Sequence, residues 1–107
     1  MRRMTQNILQ NLQKIKTKYE KEGVYIVGVF GSYAQDKFDD FSDIDIAYTI
    51  DHDRFSRIYS DGFSKILRIE EIRHALEKRF HKKVDFVSLD SNNKSFVDYI
   101  KKEMLYV

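Results

Sequence analysis

Apolar residues recur along this chain with two alternating periods, and that alternation predicts the order of its elements. Ile8, Leu12, Ile15 and Tyr19 fall at steps of four, three and four, the spacing that gathers side chains on one face of an α-helix. A first helix is expected over residues 5–22, with Lys14, Lys16, Lys18 and Lys21 mostly outward and Gly23 ending it. The run from Val24 to Phe30 is almost continuously apolar, as in a strand buried on both faces. Gly31-Ser32 then turns the chain, a short helix continues through Ala34, a polar loop covers 36–42, and residues 43–50 read as the second strand.

Beyond it, Phe63, Ile66, Leu67, Ile69, Ile72, Leu76 and Phe80 share helical spacing, with Asp61 placed to cap the start. Residues 83–89 read as a third strand in which Asp85 interrupts an apolar run. After a polar turn at 90–94, Ser95 opens a last helix with Phe96, Ile100 and Met104 on one face and Asp98 in the first turn, where it suits the helix dipole. Strands separated by helices must bury their apolar sides against something. The expected fold is α/β (α+β), a small mixed β-sheet covered by helices, and 107 residues suffice for one domain over 1–107. Proline is absent, and there is no repeat, low-complexity tract or linker.

Composition narrows the class. A hydrophobic fraction of 42% and an aromatic fraction of 14% are those of a folded globular chain, and no segment approaches the apolar length of a membrane span. There is no cysteine, which excludes disulfides and thiolate metal sites. The cytoplasm is the expected location. Residues 1–18 are basic and acid-free but lack the apolar core of a secretory signal; an amphipathic first helix explains them.

The formal net charge of +2 conceals an acidic centre in a basic frame. Residues 36–53 hold Asp36, Asp39, Asp40, Asp43, Asp45, Asp51 and Asp53 against Lys37 alone, a balance of −6, so the remainder carries +8. Asp36, Asp39, Asp40, Asp51 and Asp53 read as solvated loop residues. Asp43 and Asp45 differ, because residues two apart on a strand project from the same face. Two parallel carboxylates repel, and hard divalent cations such as Mg²⁺ take oxygen ligands of this kind. If the second and third strands are neighbours, Asp85 joins them, giving three carboxylates around one or two cations. Backbone N–H groups at a glycine turn entering a helix form an anion cradle, to which Ser32 adds a hydroxyl. Gly31 and Ser32 would thus hold the β and γ phosphates of a nucleotide. An incoming hydroxyl could then attack the α-phosphorus in line, with Asp85 as general base or as the ligand that makes a separate base unnecessary.

Each of these signals is weak alone. A Gly-Ser turn after a strand is common, an Asp-x-Asp hardly less so, and Asp85 could be an edge residue facing solvent. Their conjunction on the strands and turn that the chemistry requires is what counts. His52, His74 and His81 share no zinc spacing. The basic series Arg68, Arg73, Lys78, Arg79, His81, Lys82 and Lys83 has no base-stacking aromatic motif with it and reads as a solvated helix face rather than a surface for direct nucleic-acid binding. Tyr33, beside the phosphate corner, either packs or stacks on a base, packing being the more frequent outcome.

Three strings carry a resemblance: Val29-Phe30-Gly31-Ser32-Tyr33-Ala34, Ser42-Asp43-Ile44-Asp45-Ile46-Ala47, and Val84-Asp85-Phe86-Val87. Together they resemble the nucleotidyltransferase superfamily of DNA polymerase beta and kanamycin nucleotidyltransferase, and most of all the minimal nucleotidyltransferases of prokaryotes. The closing residues 99–106 are also similar to the way such domains end. The resemblance implies a polymerase beta-like fold, ATP or another nucleotide as substrate, and two Mg²⁺ ions held by Asp43, Asp45 and Asp85. It also implies a protein partner, since many such proteins act as antitoxins of HEPN-domain ribonuclease toxins, some by attaching AMP to a tyrosine of the toxin, in a hetero-oligomer. One departure stands out: the family's serine motif continues with alanine, arginine and glycine, whereas this chain has Ala34-Gln35-Asp36. That change removes a fixed cation near the phosphates, or a buried partner for a carboxylate, and adds a negative charge close by. A module that neutralises its partner by contact alone is therefore the alternative to an enzyme. Antibiotic modification is disfavoured, because so small a domain lacks a second lobe to enclose a small acceptor.

Overall fold

The computed structural model describes residues 3–107. Helix α1 (Arg3–Glu20) leads to β1 (Val24–Phe30), the one-turn α2 (Gly31–Ala34), β2 (Ile44–Ile50), α3 (His52–Ile58), α4 (Gly62–Phe80), β3 (Val84–Ser88), α5 (Lys94–Lys102) and a two-residue β4 (Leu105–Tyr106). The strands form one mixed sheet in the order β3-β2-β1-β4, with β1 antiparallel to both neighbours and β2 parallel to β3. The α/β sheet expected from the sequence is what the chain adopts. Among the described residues no helix is long and apolar enough to cross a membrane.

Local chemistry explains the boundaries. Gly23 follows α1 at φ +90, and its carbonyl accepts from Asp51 N–H, which clamps the start of β1 to the end of β2. The Asp51 side chain caps α3 by accepting from Arg54 N–H, and Asp61 caps α4 by accepting from Ser64 N–H. Helix α5 starts one residue before Ser95, on an Asn93 cap, so Asp98 lies beyond its first turn.

The two faces of the sheet are covered unequally. One face presents Val24, Ile26, Val29, Ile44, Ile46, Tyr48 and Val84 to α1 (Ile8, Leu12, Tyr19) and α4 (Ile72, Leu76), forming the main core. The other presents Ala47, with Val27, Phe30, Val87 and Leu89, to Ile100 of α5 and to Met104 just past its end. A β-bulge in β1 sets this division. Ile26 pairs with Tyr48 and Gly28 with Ala47, leaving Val27 as the extra residue; the insertion shifts the phase of alternation, so that Val29 joins the main core and Phe30 the second face.

Helix α4 packs along only part of its length. Its second half buries Ile72 and Leu76, but Phe63, Ile66 and Leu67 are 76%, 68% and 50% exposed. Their spacing specified a helix without specifying that its whole length packs. At the near end of α4, Arg68 makes a bidentate pair with Glu22, Nε to Oε1 and Nη2 to Oε2 each at 2.7 Å, and Tyr59 donates to the same carboxylate. This network ties α1, α3 and α4 together.

Candidate active site

Alternation along β2 and β3 places Asp45 on the face that carries Ala47, and Asp85 on the face that carries Val87. The parallel register sets Asp45 directly beside Asp85. Asp43 stands one residue before β2 begins. Helix α5 covers this face over Ala47 and Val87 and leaves the carboxylate end of both strands open: Asp85 is exposed and Asp45 half-buried.

The corner after β1 closes the site from the other side. Phe30 pairs with Asp45, so the next residue, Gly31, lies against that carboxylate. Gly31 has φ +72, and a Cβ built on it would collide with Asp45 Oδ2. Only glycine satisfies both the left-handed backbone and the close approach. Ser32 follows in the first turn of α2, with its carbonyl accepting from Lys37 N–H. Tyr33 points the other way into the main core, fully buried and stacked on Phe38 at 4.2 Å between ring centroids. Packing is therefore its role, although its hydroxyl has no hydrogen-bond partner among the described residues.

Electrostatics identify the carboxylates as a coupled set. Burial pushes the Asp45 carboxyl up to about 6, and the charges of Asp85 and Asp43, with a hydrogen bond to Asp85, push in the same direction. Asp45 and Asp85 thus stand side by side on neighbouring strands, with Asp43 within electrostatic range. Among the described residues no group of three or more His, Asp or Glu side chains is placed to hold a metal ion, so Asp43 does not join Asp45 and Asp85 in a ready three-carboxylate cluster. The donor set nonetheless suits a hard divalent cation, being all oxygen, acidic, and costly to ionise without a counter-charge. The three histidines are dispersed: His52 lies 3.8 Å from Asp90, His74 lies 3.7 Å from Glu77, and His81 ends α4 in the left-handed conformation.

The loop acids have local duties. The Asp39 carboxylate accepts from Phe41 N–H and Ser42 Oγ–H, and Asp51 caps α3. Asp36 adopts φ +55, a conformation glycine would take without strain. Gln35 donates through its side-chain amide to Glu103, fastening the end of α2 to the end of α5. That link joins residues 68 apart in sequence, and no periodic signal announced it. A separate apolar cleft of about 400 Å³, lined by Tyr48, Ile50, Phe55, Ile66 and Ile69 among others, opens by the far end of β2 from the carboxylates.

The chain is thus a helix-backed mixed sheet with neighbouring carboxylates on its open face beside a Gly-Ser corner. Residues 10–107 match the family model described as polymerase beta, nucleotidyltransferase, and the chain belongs to that family. A solved structure described as a minimal nucleotidyltransferase superposes with a TM-score of 0.71 at 18% identity, covering 96% of this chain and 95% of that one. A crystal structure of a toxin-antitoxin with AMP-PNP superposes with a TM-score of 0.63 at 22% identity, covering 90% of this chain and 71% of that one. No curated protein matches the chain.

Proposed function

We infer that this chain is a Mg²⁺-dependent nucleotidyltransferase that moves AMP from ATP to a hydroxyl of a protein partner in the cytoplasm, as the antitoxin of a HEPN ribonuclease toxin. The observation that carries the reading is the Asp45–Asp85 pair held in register beside Gly31, with Asp43 adjacent. Membership of the family and the likeness to a toxin-antitoxin structure that contains AMP-PNP support it.

In this reading Gly31 and Ser32 donate hydrogen bonds to the β and γ phosphates, and Asp43, Asp45 and Asp85 hold the divalent ions. Bound Mg²⁺ supplies charge neutralisation and acidifies the acceptor hydroxyl. The acceptor oxygen forms a bond to the α-phosphorus, the bond from that phosphorus to the bridging oxygen breaks, and pyrophosphate leaves. Asp85, the more exposed of the strand-borne pair, takes the hydroxyl proton or, as an ion ligand, makes a separate base unnecessary. The hydrogen bond from Gln35 to Glu103 braces α2, and with it Gly31, against α5.

The test is intact-mass spectrometry of co-expressed helical ribonuclease partners after incubation with each NTP and Mg²⁺. A nucleoside-monophosphate adduct that disappears when Asp43 and Asp45 are changed to Asn is the expected result. The second reading, neutralisation by contact alone, is favoured by Gln35-Asp36 and by the strained φ at Asp36. It predicts no adduct and undiminished neutralisation by the Asp43→Asn/Asp45→Asn protein.

A further inference from the structure

We propose that the flank of α5 bearing Phe96 and Tyr99 is an aromatic platform for the base of the nucleotide, an inference that rests on the nucleotide-binding reading above. Helix α5 crosses the second face of the sheet from the end of β3 to the start of β4, pressing Val97 and Ile100 inward. Phe96, Tyr99 and Glu103 are spaced three and four apart, so they share a neighbouring flank. The hydrogen bond between Gln35 and Glu103 fixes which way that flank looks: towards α2 and the Gly31 corner, on the open side of the sheet. From Glu103, the rise of 1.5 Å per residue puts Tyr99 about 6 Å and Phe96 about 10 Å back along the helix. Both rings therefore follow Glu103 along the flank of α5 that looks to the Gly31 corner.

Both rings are in the state such a role requires. Tyr99 is 63% and Phe96 42% exposed, and among the described residues neither stacks on another ring, whereas Tyr33, Tyr48 and Phe55 are each consumed by an internal aromatic pair. A helix that buries Val97 and Ile100 has no packing reason to present two aromatic rings on its open flank. Aromatic stacking is sequence-tolerant because every base has a π-face. The platform therefore secures a nucleoside triphosphate without selecting strongly among bases.

The experiment is calorimetric titration of ATP and of inorganic tripolyphosphate, each with Mg²⁺, into the wild type, the Phe96→Ala/Tyr99→Ala double variant and Tyr99→Phe. The double variant should bind ATP at least about tenfold more weakly, since stacking on an aromatic is worth roughly 1–3 kcal/mol per base. It should bind tripolyphosphate as the wild type does, and Tyr99→Phe should retain ATP affinity. Unchanged ATP affinity in the double variant, or an equal loss for ATP and tripolyphosphate, overturns the platform and leaves the phosphate site standing. Failure of the wild type to bind either ligand overturns the nucleotide reading and the platform with it.

Discussion

The two faces of this sheet are built from the same strands by the same alternation, yet one is a closed apolar core and the other carries neighbouring carboxylates at its open end. On the main-core face Ile44, Ile46 and Val84 are almost wholly buried under α1 and α4. One residue further along each strand, Asp45 and Asp85 face each other on the half-covered side, at a cost that apolar residues there would not incur. A period of two thus lets five- and seven-residue strands offset a repulsive site with packing directly behind it.

The comparison breaks most visibly on the main-core face. Leu12→Ala removes a fully buried side chain and should destabilise by about 2–5 kcal/mol, seen as a large drop in Tm, while the molecules that remain folded keep Mg²⁺-dependent nucleotide binding. On the site face the sign reverses. Asp45→Asn removes a carboxyl whose folded pKa, about 6, lies above its ordinary value of 3.8. In that interval the native state binds more protons than the unfolded one, so the wild type loses stability as pH rises from about 4 to about 6. Discounted for partial exposure, the penalty at neutral pH is about 1–2 kcal/mol. Without metal, Asp45→Asn should therefore melt higher than the wild type at pH 7, by about 4–8 °C per kcal/mol, and equally with it below pH 4. Added Mg²⁺ should narrow the gap by stabilising only the wild type. The smallest effect is expected at the seam: Gln35→Ala breaks an exposed side-chain hydrogen bond to Glu103 and should change unfolding free energy by about 0.5 kcal/mol or less.

What the sequence disclosed follows the same division. Strand β1 is legible to the residue because Val24 to Phe30 is almost continuously apolar between Gly23 and Gly31. Strand β2 begins one residue later than expected, leaving Asp43 just outside it. Helix α3 has no clear sequence signal because residues 51–53 look like a solvated acidic turn, although Asp51 is a sound cap and Phe55 anchors the helix in the core. Strand β4 is too short for any pattern. In α5 the periodicity grouped Phe96 with Ile100 and Met104, but the helix ends at Lys102 and Phe96 stays half-exposed; Met104 reaches the same apolar cluster from beyond the helix. The candidate site is legible only as residue types at a spacing. Whether Asp85 approaches Asp45 depended on strand order, which a sequence with helices between every strand leaves open, and the bulge at Val27 that brings Gly31 to Asp45 has no local signature.

The proposed function requires divalent-ion-dependent capture of a nucleoside triphosphate by Asp43, Asp45 and Asp85 beside Gly31. Isothermal titration of a non-hydrolysable ATP analogue into the wild type and into Asp43→Asn/Asp45→Asn, with Mg²⁺ and with EDTA, measures it directly. Saturable binding by the wild type that is lost on chelation and absent in the variant is the predicted result. Binding that is indifferent to both the ion and the substitution, or no binding by the wild type, contradicts the account.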